Sequence, residues 1–364
     1  MDEENEGRSI GVDLHPNRFN TAEIGLESGR LHRERYEVPD GLETFINHLR
    51  KEDVVVVEAT TNTFAFVALF KSKVKQVIVV HPGENQDIIR SNKKTDRIDA
   101  MRLARLGIDI TRSGRLIKQA TIPEEAIVRL RSLFTTYELV SKEITMTRCR
   151  IHSLLVAELH PYVGADIMDV PIRERIESDE TLTSGTRLQI KMMYAALDLF
   201  YSQILELKGE ILRFARLWPG EMRILISMDG VSILVALALK ADYGDIQRFK
   251  NGKHLCSYMR VAPTVEASNG KVKYGPVNKQ SRHLGLRFLL QTLQHYYGSN
   301  EYAREWREEK IKHKSRGKVR IALARKMLMC LYSMLKHEEL YRTRSLMTFA
   351  RKEKELEAII ELAA

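Results

Sequence analysis

Four carboxylates in this chain have the type and spacing for chemistry on phosphorus. Asp13 lies inside the apolar run of residues 9–15, on the side-chain parity of Ser9 and Gly11. Glu58 closes the β-branched run Val54–Glu58. Asp96 and Asp99 sit in Lys94-Thr95-Asp96-Arg97-Ile98-Asp99-Ala100 at the start of a helix, where a separation of three places both on one face. Four hard oxygen donors converging at strand ends offset much of the charge of two divalent cations ~3.5–4 Å apart. Such a pair activates an attacking oxygen and stabilises a leaving one in phosphoryl transfer. Each residue also has a plainer explanation: Asp96 can cap its helix, Asp99 can lie on the surface beside Arg102, and Glu58 can simply end its strand. The full set, in the order Asp, Glu, Asp-x-x-Asp, favours the metal-binding reading.

The elements that must position these groups read as α/β over the first third of the chain. Residues 9–15 form a buried strand, and residues 19–26 and 30–38 form two more, joined at Glu27-Ser28-Gly29-Arg30 with a glycine suited to a hairpin. Residues 41–50 have helical periodicity, Val54–Glu58 is a buried strand, and residues 62–71 are helical. Gln76–Val80 is a further buried strand, stopped by His81-Pro82. Three meander strands followed by alternating helix and strand is the order of a ribonuclease H-like sheet. Sugar kinases and actin-like ATPases share that sheet but carry glycines after the first Asp to admit phosphate. Leu14-His15-Pro16 at that place argues against nucleotide binding.

Beyond residue 120 the pattern is all-α. No Pro or Gly interrupts residues 124 to about 158, and Ile127, Leu130, Phe134, Tyr137, Val140, Ile144, Ile151 and Leu155 recur mostly at spacings of three and four. A second run, residues 186–217, repeats the spacing at Leu188, Met192, Ala195 and Leu199. The two predict an antiparallel helical hairpin or an intermolecular coiled coil, with packing inside one subunit as the plainer outcome. Pro219-Gly220 marks a boundary. Short helices are expected over residues 224–243 and 248–259, then a loop holding Pro263, Gly270, Gly275 and Pro276, then helices over 282–297 and 318–336. The expected domains are 1–120, 121–218, 219–345 and a helical tail, 346–364.

The 364 residues carry a formal charge of +10, and the excess is local. Between residues 250 and 326 there are eighteen Lys/Arg against five Asp/Glu, an excess larger than that of the whole chain. Tyr258, Tyr274, Tyr296, Tyr297, Tyr302 and Trp306 are interleaved with these cations. Cations neutralise phosphates and release counterions, while aromatic faces stack on unpaired bases, so nucleic acid is the expected partner. The three cysteines are far apart with no CxxC, which excludes a disulfide framework and a zinc ribbon. The acidic N-terminus and the lack of a long apolar run predict a soluble cytoplasmic protein with no membrane partner.

With these motifs assembled, the chain resembles the DEDD transposases of the insertion-sequence one-ten family, which includes the Piv pilin-segment invertases. The resemblance rests on Ile10-Gly11-Val12-Asp13, Val57-Glu58-Ala59-Thr60 and Lys94-Thr95-Asp96-Arg97-Ile98-Asp99-Ala100. Met228-Asp229-Gly230-Val231 with Gly244-Asp245-Ile246-Gln247-Arg248-Phe249 is similar to its helix-hairpin-helix segment. Val261-Ala262-Pro263 leading to Ala267-Ser268-Asn269-Gly270-Lys271 is similar to its serine loop. Arg316-Gly317-Lys318 before Ala322-Leu323-Ala324-Arg325-Lys326 is similar to its last helix. The likeness covers about residues 8–342.

The resemblance implies a RuvC-like N-terminal domain that holds Mg²⁺, with Mn²⁺ as the alternative, on Asp13, Glu58, Asp96 and Asp99. It implies a serine in the C-terminal domain that forms a covalent phosphoserine link to DNA; by position this is Ser268, with Ser257 and Ser281 as competitors. It further implies donor and target DNA as partners, a structured guide RNA from the element's own end, assembly as a dimer or tetramer, and a prokaryotic, nucleoid-associated setting. Lys271, Lys279, Arg282 and Arg287 are expected, as a group, to contact phosphates; after Lys279 this chain has Ser281-Arg282 where the family has Gly-Asn. Two other readings of the acidic set stay open: a RuvC-like endonuclease or junction resolvase in which water attacks, and a non-catalytic nucleic-acid-binding protein. A Piv-like invertase uses the same chemistry as a transposase and differs only in the flanking DNA.

Overall fold

Strand β1 (Arg8–Leu14) lies in the middle of a five-stranded mixed sheet. It pairs antiparallel with β2 (Arg18–Gly25), which pairs antiparallel with β3 (Leu31–Glu37). On its other side it runs parallel to β4 (Val54–Glu58), and β4 runs parallel to β5 (Gln76–Val80), giving the order β3-β2-β1-β4-β5. The structure, a computed structural model, describes residues 6–81, 96–114, 117, 119–161, 166–268, 271–277 and 284–362. For residues 96, 97, 265–268, 271–274, 276 and 277 it describes the backbone.

Alternation along the strands sorts the side chains onto two faces. Ile10, Val12 and Leu14 join Val55 and Val57, with Phe19, Tyr36, Phe45, Phe66 and Phe70, in one aromatic-rich core. That face is covered by α1 (Gly41–His48) and α2 (Thr63–Ala68), which supply Phe45 and Phe66. Val54 and Val56 point the other way and pack with Leu103 and Leu106 of α3 (Asp96–Ser113). Both faces of β4 are covered, which is why its sequence is a continuous run of valine rather than an alternation.

The approach of α3 to β1 depends on small residues. A Cβ on Gly11 would collide with the Ala100 carbonyl oxygen and the Ala104 amide nitrogen of α3, and would lie 2.9 Å from Leu103 Cβ. Ser9 Oγ donates to the Ala104 carbonyl (2.7 Å) in the same seam. Gly11→Ala is therefore expected to force α3 off the sheet and to destabilise the protein by about 1–3 kcal/mol or more. A thermal melt matching that of the native chain would contradict this account of the seam.

By contact density the chain divides into two units, residues 1–125 and residues 126–364. The second unit is mostly helical. Its long helices are α4 (Glu125–Ala157) and α6 (Ser184–Arg213), with the short α5 (Val170–Ser178) between them. Leu130 and Phe134 near the start of α4 share a core with Ile211 near the end of α6. Ile151 and Leu155 near the end of α4 share another with Ile176 of α5 and with Ile190, Tyr194 and Leu197 near the start of α6. The two helices thus run antiparallel and pack within one chain.

The larger core surrounds α8 (Ile233–Tyr243), every residue of which is buried except Leu234. Around it lie α7 (Pro219–Ile226), α9 (Gly252–Tyr258), α10 (Leu284–Ser299), α12 (Arg316–His337) and α13 (Leu346–Leu362). Pro219 occupies the first turn of α7, where its missing N–H costs nothing. Gly230, with φ of 82°, makes the left-handed turn into α8 against Thr292 and Tyr296.

Three expectations need correction. Residues 261–277 are not a plain loop: β6 (Pro263–Ser268) and β7 (Lys271–Val277) form an antiparallel hairpin. Pro263 is tolerated because it is the first residue of its strand. Helices α5 and α11 (Glu301–Ile311) were not expected. On α6 the inward face is Ile190, Tyr194 and Leu197, whereas Leu188, Met192 and Leu199 are 61%, 65% and 56% exposed.

Candidate active site

The register of α3 on the sheet brings most of the acidic positions to one place. Gly107 lies against Ser9 and Val56, while Ala100, Leu103 and Ala104 lie against Gly11. The helix therefore runs antiparallel to β1, and two residues further along the strand correspond to one turn back along the helix. Asp13 is thereby carried toward the first turn of α3, which holds Asp96 and Asp99. Glu58 shares the parity of Val54 and Val56, the α3 side of the sheet, and follows the Val12–Val57 pairing on the strand beside Asp13. Asp13, Glu58 and the first turn of α3 consequently share one end of one sheet face. Glycine at 11 and alanine at 100 and 104 allow this approach.

The turns after the two strands are tied to each other. Asn62 Nδ2 donates to the His15 carbonyl (3.2 Å), linking the turn after β4 to the turn after β1. Thr63 Oγ1 donates to the Glu58 carbonyl (2.7 Å), and the Thr60 N–H donates to Thr63 Oγ1 (2.9 Å). His15 Nε2 donates to Asp13 Oδ2 (3.1 Å), and Arg102 Nη1 lies 3.5 Å from Asp99 Oδ1. The sequence gives His15, Asn62, Thr60 and Thr63 no role in the site. The readable signal was the Thr60-x-x-Thr63 spacing around a helix start and His15 two residues from Asp13, on the same strand parity.

The carboxylates of Asp13 and Asp99 are 18% and 16% exposed, so each is screened by protein yet open at one edge. That suits a site that must meet both a cation and a large anionic substrate. Among the described residues no three His, Cys, Asp or Glu side chains gather as a closed metal centre. For Asp96 the described part is its backbone position, at the first residue of α3. The donor chemistry fits a hard divalent cation: every member of the set is a carboxylate and no thiolate lies among them.

In the second unit, Ser268 is the last residue of β6 and pairs in register with Lys271, the first residue of β7. Only Asn269 and Gly270 separate them, the dipeptide most suited to a two-residue hairpin connection. The competitor Ser257 lies exposed on α9, while Ser281 falls outside the described residues. Of the expected phosphate contacts, Lys271 is placed at the start of β7, and Lys279 and Arg282 lie outside the described residues. Arg287 is half-buried on α10, and its Nη1 donates to Glu138 Oε1 of α4 (3.0 Å). Its charge is therefore partly spent inside the fold. No helix among the described residues is long and apolar enough to cross a membrane.

Comparison with known proteins adds an independent line. Residues 222–306 match the transposase family IS116/IS110/IS902. Residues 10–160 match the DEDD-type IS110 family described as a transposase. A probable family 20 transposase of Pseudomonas aeruginosa is 22% identical over 129 residues, 34% of this chain and 38% of that protein. The match thus spans little more than a third of that relative's length. The segment 10–160 contains most of β1 and all of β4 and α3, and the segment 222–306 contains the β6–β7 hairpin.

Proposed function

The chain belongs to the IS110 family of transposases, and on that premise we propose that it is a metal-dependent DNA recombinase that moves an insertion sequence through a serine–DNA link. The reading is supported by the register of one sheet ordered β3-β2-β1-β4-β5, in which Asp13 on β1 and Glu58 at the end of β4 share the strand parity that faces α3, the helix that begins at Asp96. That order, with β2 antiparallel and β4 and β5 parallel to β1, supports the ribonuclease H-like reading.

Asp13, Glu58, Asp96 and Asp99 hold the divalent cations, Mg²⁺ or Mn²⁺. When bound, such cations withdraw charge from phosphate oxygens and make a hydroxyl easier to deprotonate. Ser268 is the nucleophile: its oxygen forms a bond to phosphorus, one bridging P–O bond breaks, and the departing sugar oxygen takes up a proton. Attack by a free strand end on the serine-linked phosphorus reverses this substitution and rejoins DNA. Ser268 ends β6, and its register partner Lys271 supplies a cation for the phosphate. A guide RNA from the element's end selects donor and target by pairing, so the protein needs little base-specific contact. Purified protein with that RNA and Mg²⁺ is expected to cut and join a supercoiled donor plasmid. Chelation should stop the reaction, and restored Mg²⁺ or Mn²⁺ should restart it; activity that persists in chelator would contradict the metal-dependent reading.

Assembly as a dimer or tetramer belongs to the same reading and is supported by the outer face of α6. Leu188, Met192, Ala195 and Leu199 follow each other at spacings of four, three and four, and all are exposed. That seam suits a second copy of the same helix. The double substitution Leu188→Lys and Leu199→Lys is expected to lower the assembly state in light scattering while leaving the helical content unchanged. An unchanged mass would mean that the contact lies elsewhere.

A further inference from the structure

A second feature of the helical unit straddles the end of the matched segment 222–306. Between α10, α11 and α12 there is a cavity of about 510 Å³, lined by Tyr302 and Trp306 of α11, Arg325 and Lys326 of α12, and Tyr296 and Tyr341 behind them. Its floor is apolar, with Ala303 and Leu323, and among the described residues none that lines it is acidic. Lys326 Nζ stands 5.0 Å from the Trp306 ring centre and 5.7 Å from that of Tyr302, so one ammonium bridges both rings.

We infer that this cavity takes an unpaired nucleobase, stacked on Trp306 and Tyr302, with its flanking phosphate on Arg325 and Lys326. The inference rests on the nucleic-acid function proposed above and adds a site to it.

Four observations carry it. First, Tyr302 is 67% exposed and Met329 at the rim 38%, so apolar surface here is left facing solvent rather than used as core. Second, the volume lies in the range of small-molecule sites and accommodates one base with its sugar. Third, a base that slides onto the rings replaces a cation–π contact with stacking and releases Lys326 toward phosphate, so neither group loses a partner. Fourth, the back wall offers hydrogen bonding to a base edge. Tyr296 and Tyr341 hydroxyls are 3.1 Å apart, and Asn300 Nδ2 donates to the Tyr341 oxygen (3.0 Å). The pair consumes one of its two hydroxyl hydrogens, which leaves the other to donate. Burial and this contact push the Tyr296 phenol well above its ordinary range.

The cavity reads single strands rather than duplex because stacking needs a free base face. The test measures binding of the full chain to short labelled oligo-dT, oligo-U and a blunt duplex of equal length. Trp306→Ala and Tyr302→Ala are expected each to weaken single-strand binding about tenfold, while duplex binding changes less than about twofold. Trp306→Phe should retain most of the affinity, and Lys326→Ala should lower the salt slope by about one. Because Tyr302 is exposed, its variant remains readable should the Trp306 truncation fail to fold. The ratio of oligo-U to oligo-dT affinity tells whether the base comes from RNA or DNA. Native single-strand affinity in both alanine variants overturns the base site. A native chain that binds neither single strand nor duplex would instead overturn the nucleic-acid reading itself.

Discussion

Asp13→Asn is expected to abolish DNA cutting and joining, a loss of about 10³-fold or more, with the thermal melt little changed. The substitution keeps the shape of the side chain and removes one negative charge. Its carboxylate is one of two lying side by side at the ends of parallel strands, on the face that carries α3. One of its partners in the folded protein is His15, whose Nε2 donates to it. An amide can still accept that hydrogen bond, so little structural cost is expected. Glu58→Gln should behave in the same way, since its backbone carbonyl, held by Thr63, is untouched by the change. A transposition or plasmid-cleavage assay reads the effect. Near-native activity in both variants would remove the acidic set from the mechanism.

Ser268→Ala carries the second large effect. Transposition should fall to background, again by about 10³-fold or more, while DNA and RNA affinity stay at the native level. Ser268 ends β6 in register with Lys271, and loss of one hydroxyl leaves the backbone pairing of the hairpin intact. The parallel change Ser257→Ala, on the exposed end of α9, should be silent. If Ser257→Ala were the inactive variant and Ser268→Ala the active one, the nucleophile would have to be moved. Should both be active, water would replace serine as the attacking group.

Much of the first unit was legible from residue patterns, and the reason is physical. The valine run of β4 and the alternation of β1 leave few other ways to bury apolar surface, so strand identity and face follow from parity. Gly11 carries more than its strand assignment suggests: its lack of a Cβ lets α3 approach β1 at Ala100, Leu103 and Ala104. The helical unit was harder to read. Pro263, Gly275 and Pro276 resemble loop punctuation, yet the Asn269-Gly270 dipeptide is a hairpin signal of its own. Helix α11, Glu-Tyr-Ala-Arg-Glu-Trp-Arg-Glu-Glu-Lys-Ile, buries only Ala303, so it shows little apolar periodicity. Helix α6 is apolar on two faces, and spacing by itself does not say which one turns inward; packing against α5 selected Ile190 and Tyr194. The ties among His15, Asn62, Thr60 and Thr63 depend on which turns meet, information that lies in the tertiary fold.

The central claim is a covalent link between this chain and DNA. The most direct measurement incubates the purified protein with labelled donor DNA, element-end RNA and Mg²⁺, then resolves the products on a denaturing gel beside Ser268→Ala. The account predicts a labelled protein band that survives denaturant, maps by mass spectrometry to the peptide containing Ser268, and is absent from the variant. Cleaved DNA with no such band would contradict it and leave a nuclease in which water attacks.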